Sequence, residues 1–134
     1  MKSLLLFPIF LMAVVFLSCE KDEGQTSPLS GEWRLVEVYA DPGDGSGSFE
    51  PVMSNKTITF GEDGDYTAQG NLCTMEEAAD TATSGKFWSD DQNVEPNECI
   101  SLPAQSGITY AFVGDDLILS YPCIEPCQHK YRKQ

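Results

Sequence analysis

The chain has 134 residues, with 21 acidic side chains against 8 basic ones and a formal net charge of -13. That length gives room for one domain around one core, and that charge is repelled by nucleic acid and by anionic membrane surfaces, so a DNA binder, a multidomain enzyme and a polytopic membrane protein are excluded. The hydrophobic fraction of 41% owes much to the first 18 residues; past them the chain is polar and rich in Gly, Asp and Ser.

Residues 1–18 have the layout of a secretory signal peptide: Lys2 supplies the positive start, residues 4–17 form an apolar run, and Ser18 and Cys19 follow at once. As a helix that run would span about 21 Å, short of a hydrocarbon core of about 30 Å. It contains Pro8 and no basic stop-transfer cluster follows, so it reads as an address and not a span. Phe16-Leu17-Ser18-Cys19 resembles the bacterial lipobox, in which a small residue precedes a cysteine that receives diacylglycerol and becomes the new N-terminus; Phe16 stands where that pattern usually has Leu. The resemblance implies lipidation of Cys19, with palmitate among the acyl chains. At about 0.8 kcal/mol per buried methylene, two or three chains hold a water-soluble domain on a bilayer almost irreversibly. Glu20-Lys21-Asp22-Glu23 resembles the Lys-acidic-acidic signal that carries lipoproteins of the Bacteroidota to the outside of the outer membrane; the same four residues read equally well as an ordinary charged tether. Cleavage before Cys19 removes Lys2 and no acid, leaving 116 residues with 7 basic and 21 acidic side chains and a net charge of -14. Residues 19–28 then form a lipidated flexible tether, and 29–134 the folded domain.

Within the domain, residues 31–40 form the longest predicted strand, and its side-chain parity changes at Leu35-Val36, as at a bulge. Residues 41–48 hold Pro42, Gly43, Gly45 and Gly47 and are expected to protrude as a mobile tip. Strands at 56–60 and 66–73 flank Gly61-Glu62-Asp63-Gly64-Asp65, whose Asp-Gly favours a hairpin. Residues 75–83 are the one helix-prone stretch, good for a turn or two. Further strands follow at 86–89, 108–113 and 117–121, the last two around Gly114-Asp115-Asp116, and a closing strand at 130–133. This is an all-β pattern. Sequential hairpins with short turns favour a small antiparallel meander β-barrel of about eight strands over a sandwich. A barrel of that size is just wide enough to be filled by side chains or to hold one small ligand.

With Cys19 set aside, Cys73, Cys99, Cys123 and Cys127 are an even number in an exported chain, which points to disulfides. Three pairings are possible. The expected one joins Cys73 to Cys99 and Cys123 to Cys127, since Pro122 and Pro126 bias the second pair toward a turn. The rival is zinc held by Cys123, Cys127 and His129, but C-x3-C-x-H is not a standard zinc spacing; no metal and no cofactor is expected.

Gly31-Glu32-Trp33 resembles the Gly-x-Trp opening of lipocalins. Ile58-Thr59-Phe60 with Asp63-Gly64-Asp65-Tyr66, Tyr110, residues 117–121 and the Cys123-Ile124-Glu125-Pro126-Cys127 ending resemble small lipocalin-like lipoproteins of the Bacteroidota. The resemblance implies that Trp33 plugs one end of the barrel under a basic side chain, Arg132 or Lys130, through a cation–π contact of about 0.5–2 kcal/mol. Short length and the lack of a C-terminal helix depart from the lipocalin pattern and argue against a roomy cavity.

The chemistry of catalysis is missing. His129 is the sole histidine and, among Lys130, Arg132 and Lys133, is expected at the surface; there is no Gly-x-Ser-x-Gly elbow and no Gly-rich phosphate loop. The acidic loops at 41–45 and 62–65 lack the calcium-loop spacing. A non-enzymatic, monomeric binding protein is expected, lipid-anchored to the outer membrane and, on the Lys-acidic-acidic reading, exposed at the cell surface. Its barrel would hold a small apolar or amphipathic ligand among inward aromatics drawn from Phe60, Tyr66, Phe87, Trp88, Tyr110 and Phe112. The alternative is a cavity-less interaction protein that meets an envelope or extracellular partner through its acidic loops.

Overall fold

The computed structural model describes residues 27–99 and 107–134; the expected signal peptide 1–18, the expected lipidation site Cys19 and most of the expected tether lie outside them. The described residues form nine strands: β1 (Gly31–Ala40), β2 (Ser48–Pro51), β3 (Thr57–Phe60), β4 (Asp65–Gln69), β5 (Ala82–Trp88), β6 (Asn93–Pro96), β7 (Ile108–Val113), β8 (Asp116–Ser120) and β9 (Cys127–Lys133). Every pairing is antiparallel and, apart from β2, each strand pairs with its neighbour in sequence; β9 then pairs back onto β1. The result is a closed eight-stranded meander barrel with β2 as an extra strand. Closure leaves no free edge on the ring.

β1 is long enough to serve two partners on one side. Its first four residues pair with β3 and its last four with β2. Between them, the Leu35 amide donates to the Lys56 carbonyl at 3.0 Å and the Val52 amide to the Val36 carbonyl at 3.0 Å. On its other side the register against β9 slips between Leu35 and Glu37, the bulge that the parity change implied.

Alternation fills the interior. Ile58 and Phe60, Tyr66 and Ala68, Thr83 and Phe87, Val94, Ile108 and Tyr110, Leu117 and Leu119, and His129 and Tyr131 are buried, with polar residues mostly between them. Gly85 is a packing requirement: a Cβ there would lie 2.1 Å from the Glu95 carbonyl oxygen and 2.8 Å from the ring of Tyr66, its partner across β4. The two-residue turn Gly114-Asp115 joins β7 to β8 with a positive φ of 62° at its first position, the type II′ arrangement.

The sequence pattern differs from the structure in the short elements. β2 and β6 are four-residue strands with few apolar positions to betray them, β5 begins at Ala82 and β9 at Cys127. The helix-prone stretch 75–83 is not helical, since the carbonyls of its first residues are taken by side chains from the barrel (below). The 41–47 loop is largely exposed and wound around one carboxylate: Asp41 accepts from the amides of Gly43, Gly45 and Gly47 at 2.7, 3.1 and 3.1 Å. These amides, Gly43 first, hold its carboxyl below the usual range.

Candidate functional site

One end of the barrel is closed by residues 70–81, which cross the mouth without regular structure. Backbone carbonyls in such a segment need partners, and the barrel supplies them from side chains. Lys56 Nζ donates to the carbonyls of Asn71 and Glu76 at 2.6 and 2.7 Å, Ser54 Oγ to Glu77 at 2.6 Å, and Thr83 Oγ1 to Gly70 at 3.0 Å. His129 Nε2 lies 3.3 Å from the Met75 carbonyl. A carbonyl can only accept, so Nε2 carries the proton. Nδ1 is therefore the acceptor, facing the Tyr121 hydroxyl at 3.1 Å. Leu72, fully buried, and Met75 pack down into the core beneath this segment, and the Cys73–Cys99 disulfide ties it to the chain that follows β6. The mouth is thus sealed by a stapled lid held down by a latch of buried polar side chains.

The latch is electrostatically unusual because none of these side chains is a carboxylate. Burial lowers the Lys56 ammonium to about 8. Burial, and then the neighbouring Lys56 charge, lower His129 to about 3, so the imidazole is neutral at physiological pH. Burial pushes the phenols of Tyr66, Tyr121 and Tyr131 up. His129 is 0% exposed, which corrects the surface position expected from its basic neighbours. Lys130 and Arg132 alternate with it and face outward, whereas His129 shares the inner face with Cys127 and Tyr131. That phase is readable in the sequence, as is the phase that puts Lys56 in line with Ile58 and Phe60; Ser54 and Thr83 carry no comparable signal.

The opposite end is closed by Trp33. It is buried, its Nε1 donates to the Leu29 carbonyl at 2.8 Å, and its ring lies 5.9 Å from that of Phe112. The cation over it is Lys133, with Nζ 5.4 Å from the ring. Arg132 and Lys130 are therefore not the covering residues. Trp33 and Lys133 are register partners, and Arg132, one residue out of phase, points outward to Asp116 with contacts of 3.0 and 3.1 Å. Lys130 pairs with Glu37 and sits over the Phe49 ring.

The aromatics proposed to line a cavity divide. Phe60, Tyr66 and Phe87 form one buried cluster, with ring centroids 6.0 and 5.1 Å from Phe60. Tyr110 is buried and Phe112 lies at the rim against it. Trp88 is 41% exposed on the outer face of β5 and so is not an interior residue. Phe60, Tyr66 and Phe87 thus pack on one another inside the ring. Both disulfides, Cys73–Cys99 and Cys123–Cys127, are formed, which leaves zinc no thiolates from these four residues.

A groove of about 460 Å³ lies on the outer wall, where β1, the end of β9 and residues 52–55 meet. No element of the sequence pattern announces it, because it depends on the bulge in β1 and the break between β2 and β3.

Fold and site together define a sealed, disulfide-stapled meander β-barrel with a polar latch. No protein-family profile matches the chain, and no curated protein and no solved structure is significantly similar to it.

Proposed function

We propose that this protein is a lipid-tethered, lipocalin-like barrel that works as a binding protein rather than an enzyme, and that it meets its partner on its outer surface. The observation that carries this reading is the filled interior. Tyr66, Tyr131, Lys56, Phe60, Leu72 and His129 are each under 2% exposed inside the ring, with Trp33 across one end and the lid across the other. A barrel of eight strands has interior volume for side chains or for a small ligand, and here side chains take it. The lidded titratable groups are satisfied by backbone carbonyls, which supports a structural role for them and not a catalytic one. Native mass spectrometry of the purified protein tests this: an apo mass that stays unchanged against libraries of apolar small molecules is expected. An apolar adduct that shifts the buried methyls of Ile58, Leu117 and Leu119 would overturn the reading.

A second reading, a small ligand inside the barrel, draws on one observation: the Tyr66 hydroxyl is buried and has no hydrogen-bond partner among the described residues. Such a ligand would satisfy that hydroxyl. Anchoring rests on Cys19 and the lipobox resemblance, and placement on the outer membrane on Lys21-Asp22-Glu23. Cys19→Ala is expected to release the protein from the envelope fraction; retention there would remove the tether from the proposal.

A further inference from the structure

Among the side chains lining the outer groove, those of Arg34 and Arg132 are the charged ones, and they are the two arginines of the chain. They are register partners on neighbouring strands. Like charges directly opposite each other weaken a sheet, so the pairing calls for a compensating anion. Arg132 has one in Asp116, which takes its Nε and Nη2 at 3.0 and 3.1 Å. Arg34 has no carboxylate within ion-pair distance among the described residues, although the chain carries 21 acids. Its Nε and Nη2 are held instead by the Ser54 carbonyl at 2.9 Å and Asn55 Oδ1 at 3.0 Å. Both guanidinium planes are therefore fixed in place, and in each the Nη1 group is without a hydrogen-bond partner among the described residues. Beside them the lining is mixed: Ser54, Asn55 and Gln134 are polar, whereas Val36 and Val52 form an apolar strip and Met53 lies in the groove fully exposed, at 104%.

The geometry points to a binding site for an amphiphilic oxyanion, a carboxylate or phosphate on a short apolar arm, with the oxyanion between the two guanidiniums and the arm along Val36, Val52 and Met53. The fixed donors supply charge-assisted hydrogen bonds without a new ordering cost. The groove's volume of about 460 Å³ falls within the range of small-molecule sites. An anion here would also relieve the cross-strand repulsion. The inference rests on the reading that the partner is met outside the barrel.

The test is an NMR titration of the full chain carrying Cys19→Ala, with octanoate, octyl phosphate, inorganic phosphate and uncharged octyl glucoside as probes. Octanoate and octyl phosphate are expected to move the side-chain Nε–H signals of Arg34 and Arg132 and the Met53 methyl together. Inorganic phosphate should bind about tenfold more weakly than octyl phosphate, and Arg34→Gln should weaken octanoate by about tenfold or more. Met53→Glu changes a fully exposed side chain, so it leaves folding intact and should abolish binding by repelling the anion. The inference is overturned if octyl glucoside binds as well as octanoate, if Arg34→Gln and Met53→Glu leave octanoate binding unchanged, or if no groove signal moves. Should the buried methyls of Ile58, Leu117 and Leu119 move instead, the outside reading falls along with the groove; if nothing moves, the groove alone falls.

Discussion

His129 makes the stability of this fold sensitive to acid. Its pKa is lowered from 6.5 to about 3, first by burial and then by the Lys56 charge. The unfolded chain therefore binds a proton on this side chain between pH 6.5 and about 3 while the folded protein does not. The contribution of His129 to stability is complete above pH 6.5 and is lost progressively as pH falls toward 3. At about 1.4 kcal/mol for each pH unit within that window, the full interval corresponds to about 5 kcal/mol, and acidification from pH 7 to 4.5 to about 3 kcal/mol. The geometry explains why protonation is resisted: Nε2–H is already committed to the Met75 carbonyl, and a proton on Nδ1 would meet the Tyr121 hydroxyl beside the Lys56 ammonium. His129→Gln keeps a donor and an acceptor but removes the titration. Urea denaturation of both proteins at pH 7 and pH 4.5 isolates this contribution, because other groups, among them the lowered carboxyl of Asp41, contribute alike to each. The wild type is expected to lose about 3 kcal/mol more than the variant. Equal losses would refute the reasoning, and would mean that His129 is exposed to solvent or that the lid opens before the core does.

Removing the Cys73–Cys99 bridge with Cys73→Ala and Cys99→Ala frees a loop of separation 26 and should cost about 3.5 kcal/mol on the chain-entropy estimate, read as a lower urea midpoint with faster amide exchange in residues 70–81. Gly85→Ala should cost about 1–3 kcal/mol, since its Cβ would sit 2.1 Å from the Glu95 carbonyl; calorimetry showing an unchanged melting temperature would contradict the close approach of β5 and β6. Lys56→Met leaves the carbonyls of Asn71 and Glu76 without a partner, each costing about 1–3 kcal/mol. The folded Lys56, at about 8, releases its proton before the unfolded chain does. Wild-type stability should therefore fall toward neutral pH and gain on the variant as pH rises from about 8 to 10.5, measured by denaturation at matched ionic strength.

The barrel was legible because its determinants are local. Hairpin turns at Asp63-Gly64 and Gly114-Asp115 and the two-residue alternation of Ile58 with Phe60 and of Ile108 with Tyr110 survive in the fold as the pattern implies. The bulge at Leu35 was equally visible as a break in phase. Four-residue strands such as β2 and β6 are set by the neighbours that recruit them, and Phe49 or Val94 alone gives no periodicity to detect. The lid illustrates the same limit: Met75-Glu76-Glu77-Ala78 has helical propensity, yet its carbonyls find Lys56, His129 and Ser54, partners 20 to 54 positions away along the chain. His129 shows what neighbours in sequence conceal. Three basic residues nearby suggest solvent, whereas the strand phase shared with Cys127 and Tyr131 dictates the interior. Arg34 and Arg132 are 98 positions apart, and only closure of β9 onto β1 makes them a pair.

That closure also orders the molecule from end to end. Pro28 and Leu29 lie at the Trp33 end, where Lys133 Nζ donates to the Pro28 carbonyl at 3.4 Å and Trp33 to Leu29. The proposed tether therefore leaves from the plugged end, and the antiparallel course of the strands puts the lid, the 41–47 loop and both disulfides at the opposite one. A lipid on Cys19 would hold the Trp33 end toward the bilayer and present a stapled face carrying Asp44, Glu76, Glu77, Asp80 and Glu125 away from it. Those charges repel anionic lipid and disfavour the inverted orientation. The groove, on the side wall between the two ends, stays accessible in that arrangement because it belongs to neither. A partner that needs the arginine pair can thus be met without the barrel opening, and a latch that only has to keep the lid shut is consistent with a His129 that stays neutral throughout the physiological range.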